Sequence, residues 1–198
     1  MKYSDSGTLP IPERVERRLA AILVADVAGY SRLMHEDEEA THARLTGLLA
    51  DTVLPAIARH AGRIIKNTGD GFLAEFPSAV EAVRAAIQFQ DKVYQLSIDE
   101  VADKRILFRV GINIGDVIVR AGDLFGDGVN IASRLEGIAR PGGICLSYSA
   151  YDQVCGKVGV EFVDLGEQNL KNITRPVRAY AVLPEGPGAA AHIGGAAP

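Results

Sequence analysis

The chain has 198 residues, 21 Lys+Arg against 25 Asp+Glu for a formal net charge of −4, 47% hydrophobic residues, 2 Cys and no Trp. That length holds one domain with tails, and the composition is that of a chain with a core to bury, not of a disordered one. The acidic balance argues against a general nucleic-acid binder, which carries a basic excess. Cys145 and Cys155 make neither a CxxC nor a disulfide framework and read as reduced thiols of an intracellular, cytoplasmic protein.

Residues 1–16 carry Pro10, Pro12, Glu13 and Arg14, which reads as a flexible N-terminal segment and not as a signal peptide. The apolar run Leu19–Ala25 predicts a buried strand that stops at Asp26; it is far shorter than the roughly 20 residues a bilayer requires. From Glu38 to His60, Leu45, Leu48, Leu49, Val53 and Ile57 recur at helical spacing, and Gly62 supplies a stop. Arg63–Lys66 and Phe72–Phe76 flank Gly69-Asp70-Gly71, a hairpin turn by its chemistry. Ser78-Ala79-Val80-Glu81 is a capping box that opens a second helix with Val80, Val83, Ile87 and Val93 inward.

Ile106–Gly115 and Asp116–Arg120 read as two strands joined tightly at Gly115-Asp116. A third helix spans Val129–Ile138, with Ile131, Leu135 and Ile138 on one face. Ile144-Cys145-Leu146 follows as a strand, then a short helix at Ser149–Val154 and strands at Val160–Asp164 and Val177–Val182. This order predicts an α+β domain over 17–183: a ferredoxin-like βαββαβ core with appended C-terminal strands and a short helix, its antiparallel or mixed sheet covered by helices on one face. Pro, Gly and Ala fill 12 of the 15 positions of 184–198, which reads as a flexible tail or a linker to a further, regulatory module.

Taken singly, the polar candidates are ordinary. Asp26 ends a strand and Asp70 tips a hairpin, yet the topology brings the ends of the first strand and of the strand after the crossover to one sheet edge. Two carboxylates there, with no histidine nearby in sequence, suit a hard cation such as Mg²⁺. Ala28-Gly29-Tyr30-Ser31 behind Asp26 allows backbone N–H groups to approach an anion. Asn130 and Arg134 share a helix face opposite Ile131 and Leu135, where Arg134 could meet phosphoryl oxygens and Asn130 a ribose. Lys171 alone reads as a surface lysine near a hairpin.

Four segments taken together resemble the class III adenylyl/guanylyl cyclase catalytic domain: Ala25-Asp26-Val27-Ala28-Gly29-Tyr30-Ser31; Lys66-Asn67-Thr68-Gly69-Asp70-Gly71 with Phe76; Phe125-Gly126-Asp127-Gly128-Val129-Asn130-Ile131-Ala132-Ser133-Arg134-Leu135; and Leu170-Lys171-Asn172-Ile173-Thr174-Arg175-Pro176-Val177 with Tyr180. They occur in register from about residue 19 to 183.

The resemblance implies that Asp26 and Asp70 bind two divalent cations, Mg²⁺ or Mn²⁺, with the Val27 carbonyl as a further ligand. It implies that Lys66 and Asp123 read the purine edge, that Asn130 and Arg134 orient the ribose and stabilise the transition state, and that Lys171 holds the terminal phosphate. Lys with Asp implies adenine, and hence ATP converted to 3′,5′-cyclic AMP and pyrophosphate for intracellular signalling, whereas guanine selection resembles Glu with Cys. In such domains the site lies between two copies placed head to tail. A chain carrying both halves therefore implies a homodimer with two shared sites, making no contact with nucleic acid or membrane through this segment. Guanylate cyclase chemistry and a catalytically silent nucleotide-binding or dimerisation module remain as alternatives. The stretch Gly115–Asp123 looks about two residues shorter than in the animal enzymes, a departure that bears on the dimer contact.

Overall fold

The computed structural model describes residues 16–183. The expectations of flexibility over 1–15 and 184–198 lie outside the described residues; residue 16, expected in the flexible N-terminal segment, instead opens the first strand, where it pairs with Val119. Strand β1 runs Glu16–Val27, followed by short helix α1 (Tyr30–Glu36) and by α2 (Glu38–Leu48), which continues through a π-helical turn at Leu49–Val53 into α3 (Leu54–Arg59). The predicted single helix 38–60 is thus one helical path with a change of hydrogen-bond register. Leu54 N–H bonds the Leu49 carbonyl, and Pro55, which has no N–H to give, follows at once.

Strands β2 (Arg63–Asn67) and β3 (Gly71–Phe76) form the predicted hairpin, and α4 (Ala79–Ser97) starts where Ser78 Oγ accepts the Glu81 N–H. Strand β4 (Phe108–Arg120), β5 (Asp123–Phe125), α5 (Asp127–Ile138), β6 (Ile144–Ser147), α6 (Tyr148–Val154), β7 (Glu161–Gln168) and β8 (Val177–Leu183) follow, to the end of the described residues.

The eight strands among the described residues form one mixed sheet, ordered β2-β3-β1-β4-β6-β8-β7, with β5 beside β4. The β2-β3-β1-β4 portion is the predicted ferredoxin-like core, with β1, β3 and β4 antiparallel to their neighbours and β6 added parallel to β4. The strict alternation of β1 shows why both faces are covered. Ala21, Leu23, Ala25 and Val27 pack with α2–α4, where Phe72, Phe89 and Phe108 meet edge to face with centroids 6.0–6.2 Å apart. Ala20 and Ile22 instead pack with Leu73, Val117, Leu124 and Ala132 of α5. Helices therefore lie on both faces: the two core crossovers on one, α5 on the other.

One boundary is corrected. Ile106–Gly115 and Asp116–Arg120 are not two strands; β4 runs unbroken through Gly115-Asp116 because all twelve residues of β1 pair with it, from Glu16↔Val119 to Val27↔Phe108. Gly115 serves packing. A Cβ there would stand 2.9 Å from the Gly128 Cα, and one on Gly111 would stand 2.1 Å from the Ala132 carbonyl oxygen. These two glycines let α5 lie with its backbone on the strand. Between them Asn113, almost wholly buried, donates to the Gly128 carbonyl at 3.0 Å. The tight turn comes later, at Ala121-Gly122, with both residues at positive φ (51° and 80°), as a two-residue hairpin requires. Ile138, placed by its spacing on the face shared with Leu135, is exposed.

Candidate active site

Asp26 stands near the end of β1, opposite Gly71 on one side and Arg109 on the other. Gly71 has no side chain to intrude, and a Cβ there would lie 2.0 Å from the Ala25 carbonyl oxygen, so β3 closes tightly on β1. The next backbone bond, Val27 N–H to the Asp70 carbonyl at 3.0 Å, ties the hairpin tip to the strand end. Asp26, Val27 and Asp70 are thereby brought together. Burial raises the pKa of the Asp26 carboxyl, and the neighbouring Asp70 raises it further by repulsion and a shared hydrogen bond, against a lowering by Arg109. Asp26 Oδ1 is buried with no hydrogen-bond partner.

These observations fit a cation. Two carboxylates forced together, one oxygen dry and unpartnered, are the donor set a divalent ion would relieve. Among the described residues no cluster of three or more His, Cys, Asp or Glu could hold a metal. A pair is what Mg²⁺ commonly takes from a protein when phosphate oxygens and water complete its shell.

Lys66 and Asp123 also meet. The bulged β2 carries Lys66 toward the β4–β5 hairpin, where Nζ donates to Asp123 Oδ2 at 2.8 Å and lies 5.5 Å from the centroid of the Phe125 ring. The bond from Lys66 holds the Asp123 carboxyl below the usual carboxylate range. Asp123 is in reach because Ala121-Gly122 turns the chain back and sets it opposite Arg120.

Asn130 and Arg134 are both exposed on α5, while Leu135 is buried beneath them. Arg134 Nε–H donates to the Lys171 carbonyl at 3.1 Å, joining helix α5 to the turn between β7 and β8. Lys171 is exposed on that turn, next to Asn172 at φ 63°. The sequence-predicted residues thus form three groups: the carboxylate pair, the Lys66–Asp123 pair, and Arg134 with Lys171, one helical turn beyond Asn130.

Two residues escaped the sequence reading. Arg109, across the ladder from Asp26, reaches to 3.6 Å of Asp26 Oδ2 and to 3.1 Å of Glu136 Oε1. Glu136 is 8% exposed. Burial pushes its carboxyl up to about 7, with Arg109 opposing and Asp26 and Asp70 adding to the rise. The one available signal was the pair Gly111 and Gly115 on a single strand face, which leaves room for a closely seated helix; the charges of Arg109 and Glu136 themselves read as solvated.

The family described as the adenylate and guanylate cyclase catalytic domain matches residues 15–183. A curated Rhizobium meliloti (strain 1021) protein named "Putative adenylate cyclase 3" is 46% identical over 173 residues, covering 87% of this chain and 30% of that one. The crystal structure of an adenylate/guanylate cyclase/hydrolase from Silicibacter pomeroyi is similar at TM-score 0.82 and 46% identity, over 87% of this chain and 100% of that one. The adenylyl cyclase CyaB from P. aeruginosa follows at TM-score 0.76 and 25% identity, over 88% and 98% of the two chains. The chain spans about a third of the length of the curated relatives it matches (30% and 32% of the first two). Among the described residues no helix is long and apolar enough to cross a membrane. With the match running through every strand of the sheet and every residue of the three groups, this chain belongs to the adenylate and guanylate cyclase catalytic domain family.

Proposed function

We propose that this chain is an adenylate cyclase, converting ATP to 3′,5′-cyclic AMP and pyrophosphate at two sites shared by a head-to-tail homodimer. The observation that carries the reading is the Asp26–Asp70 pair, with its buried, unpartnered oxygen at the junction of two strand ends. Two divalent cations held there by Asp26, Asp70 and the Val27 carbonyl would supply Lewis acidity for the ribose 3′-hydroxyl and charge for the triphosphate.

The chain's own side chains account for selection and orientation. Lys66 donates to adenine N1 and Asp123 accepts from the 6-amino group; a 6-oxo purine would set an acceptor against the Asp123 carboxylate. The bond from Arg134 to the Lys171 carbonyl holds the guanidinium plane, so that it offers preoriented donors to the phosphoryl oxygens as their charge rises. Lys171 neutralises the terminal phosphate, and Asn130, one turn earlier on the same face, aligns the ribose. Because the chain carries both the cation pair and the nucleotide-reading residues, two identical copies suffice for two sites.

The test is a product assay with ATP and GTP, each with Mg²⁺ and Mn²⁺, across protein concentration. Cyclic AMP and pyrophosphate in equal amounts, with specific activity rising as dimers form, is expected. Preferential cyclic GMP, or no nucleotide turnover under any condition, overturns the reading.

A further inference from the structure

We infer that Glu136 is a positioning residue that holds Arg109 back from Asp26, leaving the Asp26 oxygens open to a divalent cation. The inference rests on the reading of Asp26 and Asp70 as the cation pair.

An arginine facing an aspartate in a half-buried setting ordinarily closes into a fork with N–O distances near 2.8 Å. Arg109 does not: it stops 3.6 Å from Asp26 Oδ2, although the two are direct cross-strand partners. Its Nε lies instead 3.1 Å from Glu136 Oε1. The position of Glu136 is enforced by backbone. Helix α5 rests on Gly111, where a Cβ would come within 2.3 Å of the Glu136 nitrogen. Gly111 is two residues from Arg109 on the same face of β4, so the glutamate descends beside the guanidinium.

The contacts are close without being satisfied. Asp26 Oδ1, Arg109 Nε and Glu136 Oε1 are all buried and lack an aligned hydrogen bond. Without the Glu136 charge, nothing draws Arg109 off, and it would fork onto Asp26 and compete with the cation for the same oxygens.

The experiment measures Mn²⁺ binding to the full chain by electron paramagnetic resonance at pH 8 without nucleotide, with the fold checked by circular dichroism. Glu136→Gln is expected to raise the Mn²⁺ dissociation constant about tenfold, the lower end of what outer partners of a metal ligand contribute. The double variant Arg109→Met/Glu136→Gln is expected to recover the lost affinity, since the competitor is gone; a merely structural glutamate gives no such rescue. In turnover, Glu136→Gln should raise the Mg²⁺ concentration for half-saturation and leave kcat at saturating Mg²⁺ near the wild-type value. Glu136→Leu serves the same comparison if the amide is not tolerated. Unchanged Mn²⁺ affinity in the single variant, or a double variant no tighter than the single, overturns the inference alone, provided Asp26→Asn abolishes binding. Mn²⁺ binding indifferent to Asp26→Asn overturns the cation-pair reading, and this inference with it.

Discussion

The Lys66 ammonium donates to the Asp123 carboxylate at 2.8 Å across a separation of 57 residues, from the bulged end of β2 to the start of β5. Both side chains are substantially exposed (42% and 31%), so the pair does little for the fold. Asp123→Asn should change unfolding free energy by less than about 1 kcal/mol, the ceiling for an exposed ion pair. Its effect belongs to the substrate. Replacing the pair by Lys66→Glu with Asp123→Cys exchanges a donor–acceptor edge for one suited to guanine. The ratio of GTP to ATP turnover should rise at least about tenfold, the loss expected when one buried polar partner is mismatched. Parallel cyclic AMP and cyclic GMP measurements on the purified variant check it, and an unchanged ratio removes the pair from base selection.

The seat of α5 on β4 is equally specific. A methyl on Gly111 would meet the Ala132 carbonyl oxygen at 2.1 Å, and backbone cannot rotate away as a side chain can. Gly111→Ala should therefore cost about 3 kcal/mol, the upper range for overpacking. Urea denaturation gives the number, and a cost below about 1 kcal/mol would mean that α5 sits more loosely than these contacts require.

The same seat separates what the sequence could disclose from what it could not. Asp26 and Asp70 were legible because strand order alone brings their strand ends together. Asn130 and Arg134 were legible as one helix face because Leu135 marks the other. Gly115-Asp116 was misread because the dipeptide has the chemistry of a turn; its strand conformation is imposed by the twelve residues of β1 alongside. Lys66 and Asp123 were connected by resemblance only, since no spacing rule relates a bulged strand to a distant hairpin. Arg109 and Glu136 look like ordinary solvated charges until α5 is lowered onto Gly111, and only that tertiary contact makes them a buried pair.

Glu136 gives the fold a pH dependence. Its carboxyl is raised from an ordinary 4.5 to about 7 by burial, so the folded chain holds a proton that the unfolded chain has released between those values. The contribution of this group to stability is complete below about pH 4.5 and lost as pH rises through about 7. Over that interval the loss is on the order of 3 kcal/mol, at about 1.36 kcal/mol per pKa unit. Glu136→Gln, which carries no titrating proton, should flatten the difference between urea midpoints at pH 5 and pH 8. A variant with the same pH slope as the wild type would assign the dependence to other groups.

The shared-site arrangement can be tested without a structure of the dimer. Asp26 is engaged with Asp70 and Arg109, whereas Arg134 is engaged with Lys171 through a separate turn, so one chain holds the two lesions needed for complementation on different groups of residues. Asp26→Asn should abolish turnover, and Arg134→Ala should lower kcat by about 10²–10³, the scale for one transition-state donor. In a mixed head-to-tail dimer of the two, one site collects both lesions and the other has neither. Random association of equal amounts makes about half the dimers mixed, each with one intact site of two, so the mixture should recover about a quarter of wild-type activity. Cyclic AMP formation after mixing, compared with each variant alone at the same total concentration, measures this directly. Activity no greater than the sum of the separate variants would place each complete site within one chain.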